Sequence, residues 1–185
     1  MDRNHRSGTL LFGAALFALL WTASAQAVES DPEACPGGYA PAFRLNGKVA
    51  NRSTYDFHTL SALSPTRQQV TYFAGGQGLV TTTYIGVPLA DLLTQAVVQV
   101  DPAIKNDILR KYVAVTGSDC YEVIVSLAEV LSDFGGDSQI FVAFATGTGQ
   151  PLAANEGMAR LVVPGDKKGG RYVSNIVKIT VRSAP

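Results

Sequence analysis

The feature that most constrains the fold is a pair of β-type segments near the end of the chain, separated by a glycine-rich loop. Runs rich in Val, Ile and Leu at Arg160–Val163 and Ile176–Val181 predict two β-strands. The loop between them carries three cations, Lys167, Lys168 and Arg171, beside several glycines. Glycines let backbone N–H groups approach a ligand closely, so the loop suits a small anion such as a phosphate. A solvated hairpin whose charges serve solubility is the alternative interpretation.

The N-terminus has the composition of a secretory signal peptide. Basic residues precede an apolar run from Leu10 to Trp21, and Ala25-Gln26-Ala27 then fits a small-residue cleavage site. We therefore expect cleavage after Ala27 and a periplasmic or secreted protein. The apolar run is too short for a good membrane span, and no later segment approaches the ~20 residues that one needs. No membrane span is expected after cleavage.

The remaining chain has the size and charge of one ordinary folded domain. It carries 13 Lys and Arg against 14 Asp and Glu, because the first 27 residues remove two Arg and one Asp. A net charge this close to zero gives no electrostatic basis for binding nucleic acid. We divide the chain into a signal peptide (1–27), an N-terminal arm (28–42) and a domain (43–185).

The chain contains two cysteines, Cys35 and Cys120. An even number of cysteines in an exported protein predicts a disulfide, here one that ties the arm to the domain. Two free structural thiols, or a pair with another function, are the alternatives. Two cysteines and two histidines at scattered positions do not have the spacing of a metal site.

Helical and β-type patterns alternate along the domain. Val87–Val98 is the clearest helix, with apolar residues at helical spacing after Pro88. Asp101-Pro102 predicts the start of a second helix with Ile104, Ile108 and Leu109 on its apolar side. A hairpin is expected at Asn46-Gly47 within Phe43–Val49. A helical turn is expected at Thr59–Leu63, and a short helix after Ser126, where Glu129 completes a capping box. Strands are expected at Tyr55–Phe57, Gln68–Ala74, Thr81–Tyr84, Tyr112–Thr116, Tyr121–Val125 and Ile140–Ala145. The pattern predicts an α+β domain with a mixed β-sheet and short helices.

The residue types alone do not compel an enzyme. His58 is the one histidine beyond the signal peptide, and no Ser/His/Asp set can form without it. Asp119, in Gly-Ser-Asp, is typical of a turn. We therefore assign no catalytic residue and no metal ligand, and whether the protein is an enzyme stays open.

Three sequence blocks occur in the order and spacing of one known family. Tyr84–Leu93 matches the pattern aromatic-x-Gly-x-Pro-Leu-x-x-Leu-Leu, and Gly117–Tyr121 is similar to Gly-x-Asp-Gly-Tyr. Gly157–Asp166, followed by Gly170–Val173, is similar to a Gly-Pro-x-Arg-Leu-Val-Val-Pro block. Together the blocks resemble the sulfite oxidase-type molybdopterin-binding domain family over roughly Phe43 to Val181. The resemblance implies that family's fold.

The resemblance also implies where a ligand would bind. In the family, basic residues around the last block contact the phosphate side of the pterin. The resemblance therefore implies four cofactor-binding or anion-binding residues: Arg160, Lys167, Lys168 and Arg171. For Arg160, a structural role in a pair with Asp119 or Glu156 is the alternative.

Two features depart from the family's catalytic members. Those members bind molybdenum through a cysteine thiolate, and here Phe73 occupies the place of that cysteine. Arg3 and Arg6 are not adjacent, so the signal lacks the twin-arginine pair that exports folded, cofactor-loaded proteins. The sequence favours an exported binding module without a cofactor, whose partner is a small anionic ligand or a periplasmic protein. A molybdopterin-dependent oxidoreductase with an unusual set of molybdenum ligands is the alternative.

Overall fold

The computed structural model describes residues 35–134 and 139–185, which form two β-sheets and three short α-helices. The strands are β1 (Ala42–Gly47), β2 (Ser53–Asp56), β3 (Thr66–Ala74), β4 (Gly78–Pro88), β5 (Lys111–Gly117), β6 (Glu122–Ser126), β7 (Phe141–Thr146), β8 (Arg160–Val162) and β9 (Ile176–Ser183). The helices are α1 (Phe57–Ser61), α2 (Leu89–Ala96) and α3 (Leu127–Val130), with 3-10 turns at Asp107–Arg110, Ser132–Phe134 and Gly169–Arg171. The predicted signal peptide and the first residues of the arm lie outside the described residues.

The two sheets differ in their strand directions. The first sheet has the order β2-β1-β9-β5-β6, in which β1 and β9 run parallel and the other neighbours run antiparallel. The second sheet has the order β3-β4-β7-β8 and is antiparallel throughout. Buried side chains from both sheets belong to one hydrophobic core. The predicted α+β class, with a mixed sheet and short helices, is confirmed.

The predicted helix at Val87–Val98 is α2, which is shorter at both ends. Pro88 lies at its N-cap, where the missing N–H of proline removes no helical hydrogen bond. Val97 takes the left-handed conformation, with φ of 57°, and ends the helix. The face that packs into the core consists of Leu89, Leu92, Leu93 and Ala96.

The hairpin predicted at Asn46-Gly47 is wrong. β1 continues through Gly47 and pairs with β9 along its whole second half. Gly47 has a φ of +92°, and a Cβ at this position would lie 2.1 Å from the carbonyl oxygen of Val181. The glycine therefore permits a close approach of two strands and does not form a turn.

The helix predicted after Asp101-Pro102 is also wrong. Turns lead from this dipeptide to the 3-10 turn that precedes β5. Asn106 takes the left-handed conformation, with φ of 54°, which interrupts any helix. Ile104 and Leu109 are 37% and 42% exposed, so of the three apolar residues that predicted the helix it is Ile108 that packs against the core.

The two segments around the glycine-rich loop are both strands, but they do not form a hairpin. β8 pairs with β7 in the second sheet, whereas β9 lies between β1 and β5 in the first sheet. The chain from Val163 to Asn175 therefore crosses between the sheets. The hairpin of the alternative interpretation therefore does not form.

The capping box predicted at the start of α3 is half correct. The Ser126 side chain accepts a hydrogen bond from the backbone N–H of Ala128 at 3.2 Å. The carboxylate of Glu129 instead accepts a hydrogen bond from Arg171 at 2.8 Å. A long-range ion pair has replaced the local cap, because Arg171 is brought to the start of α3 by the crossing loop.

The predicted disulfide is present and joins Cys35 to Cys120, with their Cα atoms 5.3 Å apart. Hydrogen bonds support the same attachment: Gly37 N–H donates to the carbonyl of Ser118 at 3.0 Å, and the Ser118 hydroxyl donates to the carbonyl of Gly38 at 2.7 Å. The arm is therefore fixed to the turn before β6. A helix long and apolar enough to cross a membrane does not occur in the described part of the chain.

Candidate functional site

An open cleft of about 480 Å³ lies between the end of β3 and the glycine-rich loop. The loop is held against β3 because the backbone N–H of Phe73 donates to the carbonyl of Lys167 at 2.9 Å. It also packs closely on Tyr72, since a Cβ on Gly169 would lie 2.8 Å from that ring. The residues that line the cleft are Tyr72, Phe73, Ala74, Gly75, Arg160, Lys168, Gly169 and Gly170.

Arg160 lies in the wall of the cleft inside a cage of tyrosine rings. Its guanidinium carbon is 5.9 Å from the ring centres of Tyr72 and Tyr84 and 5.7 Å from that of Tyr172. Aromatic faces attract a cation at such distances. The three tyrosines come from β3, from β4 and from the crossing loop, so the fold brings them together around β8.

An acidic partner completes the environment of Arg160. Arg160 Nη1 donates to Glu156 Oε1, and the Tyr84 hydroxyl donates to the same oxygen at 2.8 Å. Of the two carboxylates proposed from the sequence, Glu156 is the partner. Asp119 instead accepts a hydrogen bond from the backbone N–H of Tyr121 at 3.0 Å, as a turn residue does.

Burial keeps two tyrosines of the cage, Tyr84 and Tyr172, neutral at physiological pH. Burial raises the pKa of Tyr84 well above its ordinary value. Burial also raises the pKa of Tyr172 to about 12. The cage therefore contains one cation, Arg160, and one anion, Glu156, and its net charge is close to zero.

Two buried polar atoms of the cage lack a hydrogen-bond partner among the residues that the structure describes. They are Arg160 Nε and the hydroxyl oxygen of Tyr172. Buried polar groups in folded proteins are nearly always hydrogen-bonded, and an unpaired group is unfavourable. The cage thus retains hydrogen-bonding capacity that the described residues do not use.

The two lysines of the loop are exposed, and within residues 35–134 and 139–185 neither forms an ion pair. Lys168 lines the cleft, whereas Lys167 lies beside it and contributes its backbone carbonyl to the contact with Phe73. An exposed ammonium group next to glycine backbone is well suited to attract an anion.

Arg171 forms ion pairs with two carboxylates and does not line the cleft. Its Nε and Nη2 donate to the two carboxylate oxygens of Asp166 at 2.9 and 2.7 Å, and its Nη1 donates to Glu129. The hydrogen bond with Asp166, more than the one with Glu129, raises the pKa of Arg171 above its ordinary value. Two carboxylates thus surround one guanidinium that is not among the groups lining the cleft. Of the four basic residues proposed from the sequence, the structure brings Arg160 and Lys168 to the cleft.

Phe73 gives the cleft an apolar rim. Its side chain is 51% exposed at the end of β3, directly opposite Leu79 of β4, which is 75% exposed. A group of three or more His, Cys, Asp or Glu side chains that could hold a metal ion does not occur in the described ranges.

Sequence reasoning missed the aromatic part of the site. Tyr72 and Tyr84 lie on the buried face of their strands, where alternation marks them only as core residues. Tyr121 was assigned to a strand, yet its hydroxyl donates to the carbonyl of Gly170 in the cleft loop at 2.5 Å. No local signal in the sequence indicates that these rings converge on one arginine.

Comparisons with known proteins identify the class of domain to which this fold and cleft belong. The sequence matches the family described as "Oxidoreductase molybdopterin binding domain" over residues 41–185, so the chain belongs to this family. A search of the curated proteins found no match.

A solved structure supports the same conclusion about the fold. The chain resembles the sulfane dehydrogenase SoxCD from Paracoccus pantotrophus, with a TM-score of 0.62 and 24% sequence identity. The match covers 79% of this chain and 38% of the SoxCD chain, so the protein spans well under half of that chain's length. The fold is therefore the sulfite oxidase molybdopterin-binding type that the sequence motifs predicted.

Proposed function

We propose that the protein is an exported binding module of the sulfite oxidase fold, whose cleft takes a small anionic ligand in place of a molybdenum cofactor. The observation that carries the proposal is the set of side chains around the cleft, which offers cations and aromatic rings and no sulfur donor. A periplasmic protein that presents an acidic group is the second type of partner compatible with the same cleft.

The donor set of the cleft does not fit a molybdenum centre held through a protein thiolate. The chain has two cysteines, and both belong to the disulfide, so neither is available as a thiolate ligand. A phenyl ring at Phe73 has no atom that can ligate a metal, and molybdenum in this family is bound through soft sulfur. We therefore assign no reaction step to a bound metal.

The same cleft fits an anion. Lys168 supplies an exposed positive charge, and glycines beside it leave the backbone open to a ligand. The buried Arg160, whose charge Glu156 compensates, contributes a hydrogen-bond donor, because its Nε is unpaired among the described residues. Export is part of the proposal, and the disulfide supports it because such bonds persist in oxidising compartments.

Family membership favours a second candidate, a molybdopterin-dependent oxidoreductase with an unusual ligand set. Molybdenum and pterin content, measured on protein purified from its native exported fraction, separates the two candidates. We expect neither component in stoichiometric amount. Near-stoichiometric metal and pterin would overturn the proposed function and favour the enzyme.

Binding of an inorganic anion tests the cleft directly. We expect sulfate or phosphate to shift the backbone amide resonances of residues 168–170, because these line the cleft. Lys168→Ala should weaken this binding about tenfold, since a direct charge-assisted contact is lost. Lys105→Ala is the matched control, because Lys105 is an exposed lysine outside the cleft. Equal affinities of the two variants would contradict a cleft site.

A further inference from the structure

The disulfide and the cleft are connected through one side chain. Cys120 is joined to Cys35, and Tyr121 follows Cys120 in the sequence. The Tyr121 hydroxyl donates a hydrogen bond to the backbone carbonyl of Gly170, which lines the cleft beside Lys168. Tyr121 therefore links the turn that carries the disulfide to the loop that carries the cleft's exposed cation.

The turn that positions Tyr121 has an unusual backbone conformation at Cys120. Cys120 has a φ of +63°, in the left-handed region that residues with a Cβ rarely adopt. Its backbone N–H donates to the carbonyl of Gly117 at 3.1 Å, and Gly117 N–H donates to the carbonyl of Tyr121 at 2.9 Å. The disulfide adds a covalent constraint on this turn.

Opening the disulfide would also weaken the hydrogen bonds that join Ser118, at the start of the turn, to the arm. The two hydrogen bonds between the arm and Ser118 depend on Gly37 and Gly38 remaining next to the turn. Cys35 is exposed and Cys120 is half-buried, so a reductant in solution can reach the bond. The backbone of Ala40 remains hydrogen-bonded to Asn175 and Met158, so loss of the bond frees the part of the arm before Ala40 and weakens the support of Ser118.

The cleft loop has few other contacts that could replace Tyr121. Gly169 packs against the Tyr72 ring, whereas a Cβ on Gly170 would have no atom within 4 Å. Before these glycines, the carbonyl of Lys167 accepts a hydrogen bond from the backbone N–H of Phe73. After them, the carboxylates of Asp166 and Glu129 hold Arg171 in place. Between these two anchors, the hydrogen bond from Tyr121 is the side-chain contact that the described residues make with Gly170.

We propose that the Cys35–Cys120 disulfide is a redox switch that controls the cleft loop, with Tyr121 as the positioning residue. The regulatory role rests on the proposed function of the cleft as an anion site. A dithiol reductant transfers two electrons and two protons to the protein: the S–S bond breaks, two thiols form, and the reductant becomes a disulfide. The turn at Cys120 then relaxes, Tyr121 releases Gly170, and Lys168 is no longer held in the cleft.

Amide hydrogen exchange tests the switch without any ligand. The probe is the backbone N–H of Tyr172, which donates to the carbonyl of Gly169 within the loop. In the full-length mature protein, Tyr121→Phe keeps the ring and removes the hydrogen bond, so we expect exchange at Tyr172 to become about fivefold to tenfold faster. Reduction with a dithiol should have a similar effect in the wild-type protein and little further effect in Tyr121→Phe. The amide of Val115 in β5 is the control and should exchange at an unchanged rate.

Two results would overturn the switch. One is an unchanged rate at Tyr172 in Tyr121→Phe or in fully reduced protein, where reduction is checked by a gain of about 2 Da. The other is equal acceleration at Val115, because this would mean that reduction unfolds the whole domain. Tyr121→Phe retains the disulfide, so it tests the link between Tyr121 and Gly170 even if reduced protein does not remain folded.

Sulfate titration of oxidised and reduced protein separates this inference from the proposed function. Weaker binding to reduced protein, together with faster loop exchange, supports both. Faster loop exchange without any sulfate binding in either state supports the link through Tyr121 and removes the anion site. Equal sulfate affinity in both states, with unchanged loop exchange, retains the anion site and overturns the switch.

Discussion

Arg160 is a structural cation as well as a candidate ligand contact. Its side chain is 14% exposed, and that of its partner Glu156 is 17% exposed. Two charges this far from water are stable together, because each compensates the desolvation of the other. Removing one of them leaves the other buried without a partner, which is more unfavourable than removing both. The same pair also orients the hydroxyl of Tyr84, which donates to Glu156.

The first prediction concerns this pair. We expect Arg160→Gln to lower the free energy of unfolding by about 2–4 kcal/mol, because the Glu156 carboxylate is left without its cation. The double variant Arg160→Gln/Glu156→Gln should recover part of this loss, since it contains no uncompensated charge. Urea unfolding monitored by circular dichroism measures both. A double variant that is no more stable than Arg160→Gln would contradict the role of Glu156.

Single residues differ in how far the sequence predicts their roles. Glu156 could be named as a partner of Arg160 because the two are four residues apart. Cys120 stands where the family has glycine, and its φ of +63° shows why glycine suits that position. The partners of Arg171 are visible in the sequence only in part, because Asp166 is five residues away but Glu129 is 42 residues away.

At the level of elements, the sequence predicts strands and helices well where their apolar residues are buried. The strands β3 to β7 and the helix α2 follow their patterns, because alternation or helical spacing there reflects real contact with the core. The predicted helix after Asp101-Pro102 does not form: Asn106 takes the left-handed conformation, and Ile104 and Leu109 remain exposed. The predicted hairpin at Asn46-Gly47 does not form, because Gly47 belongs to β1 and allows that strand to lie close to β9.

The second prediction tests that contact. We expect Gly47→Ala to destabilise the protein by about 3 kcal/mol or more, because its Cβ would lie 2.1 Å from the carbonyl oxygen of Val181 and its φ is +92°. Gly37→Ala is the matched control. Gly37 also has a positive φ, of +68°, but has no atom within 4 Å of its Cβ position. We expect the control to lose about 1 kcal/mol from backbone strain alone.

Thermal unfolding of the two glycine variants by differential scanning calorimetry measures the difference. Backbone strain is common to both, so the excess loss in Gly47→Ala reports the close approach of β1 and β9. Equal losses in the two variants would show that the strands can separate to admit a methyl group, contrary to the packing described above.

At the level of the whole molecule, the sequence motifs predict the fold family but the arrangement of strands does not follow from local patterns. Two of the four neighbouring pairs in the first sheet, β1 with β9 and β9 with β5, are far apart in the sequence. The same is true of the site: the cleft forms because the chain crosses from β8 in one sheet to β9 in the other and passes the end of β3 on the way. The composition of the loop predicts an anion site, but the path of the chain between the sheets determines that Arg160 and Lys168 are the cations that line the cleft.

A buried ion pair fastens the C-terminal end of the molecule. Lys111, at the start of β5, lies 2.7 Å from Asp107 and also donates to the hydroxyl of Ser183, at the end of β9. The side chains of Asp107 and Lys111 are 3% and 6% exposed. The hydrogen bond from Lys111, followed by that from the backbone N–H of Asp101, lowers the pKa of Asp107 below its ordinary value. This pair therefore makes the stability of the first sheet depend on pH.

The last prediction follows from the sign of that shift. The pKa of Asp107 is lower in the folded than in the unfolded state, so the stabilisation is fully present above the unfolded value of about 4 and is lost as pH falls through the folded pKa. We expect the free energy of unfolding, measured with urea between about pH 7 and pH 2, to fall steeply below about pH 4. Asp107→Asn should be less stable at pH 7 and should show a shallower decline in acid. Asp91→Asn, which changes an exposed carboxylate on α2, should retain the wild-type profile. A decline in Asp107→Asn as steep as in the wild type would mean that other carboxylates, and not this pair, govern the acid stability of the domain.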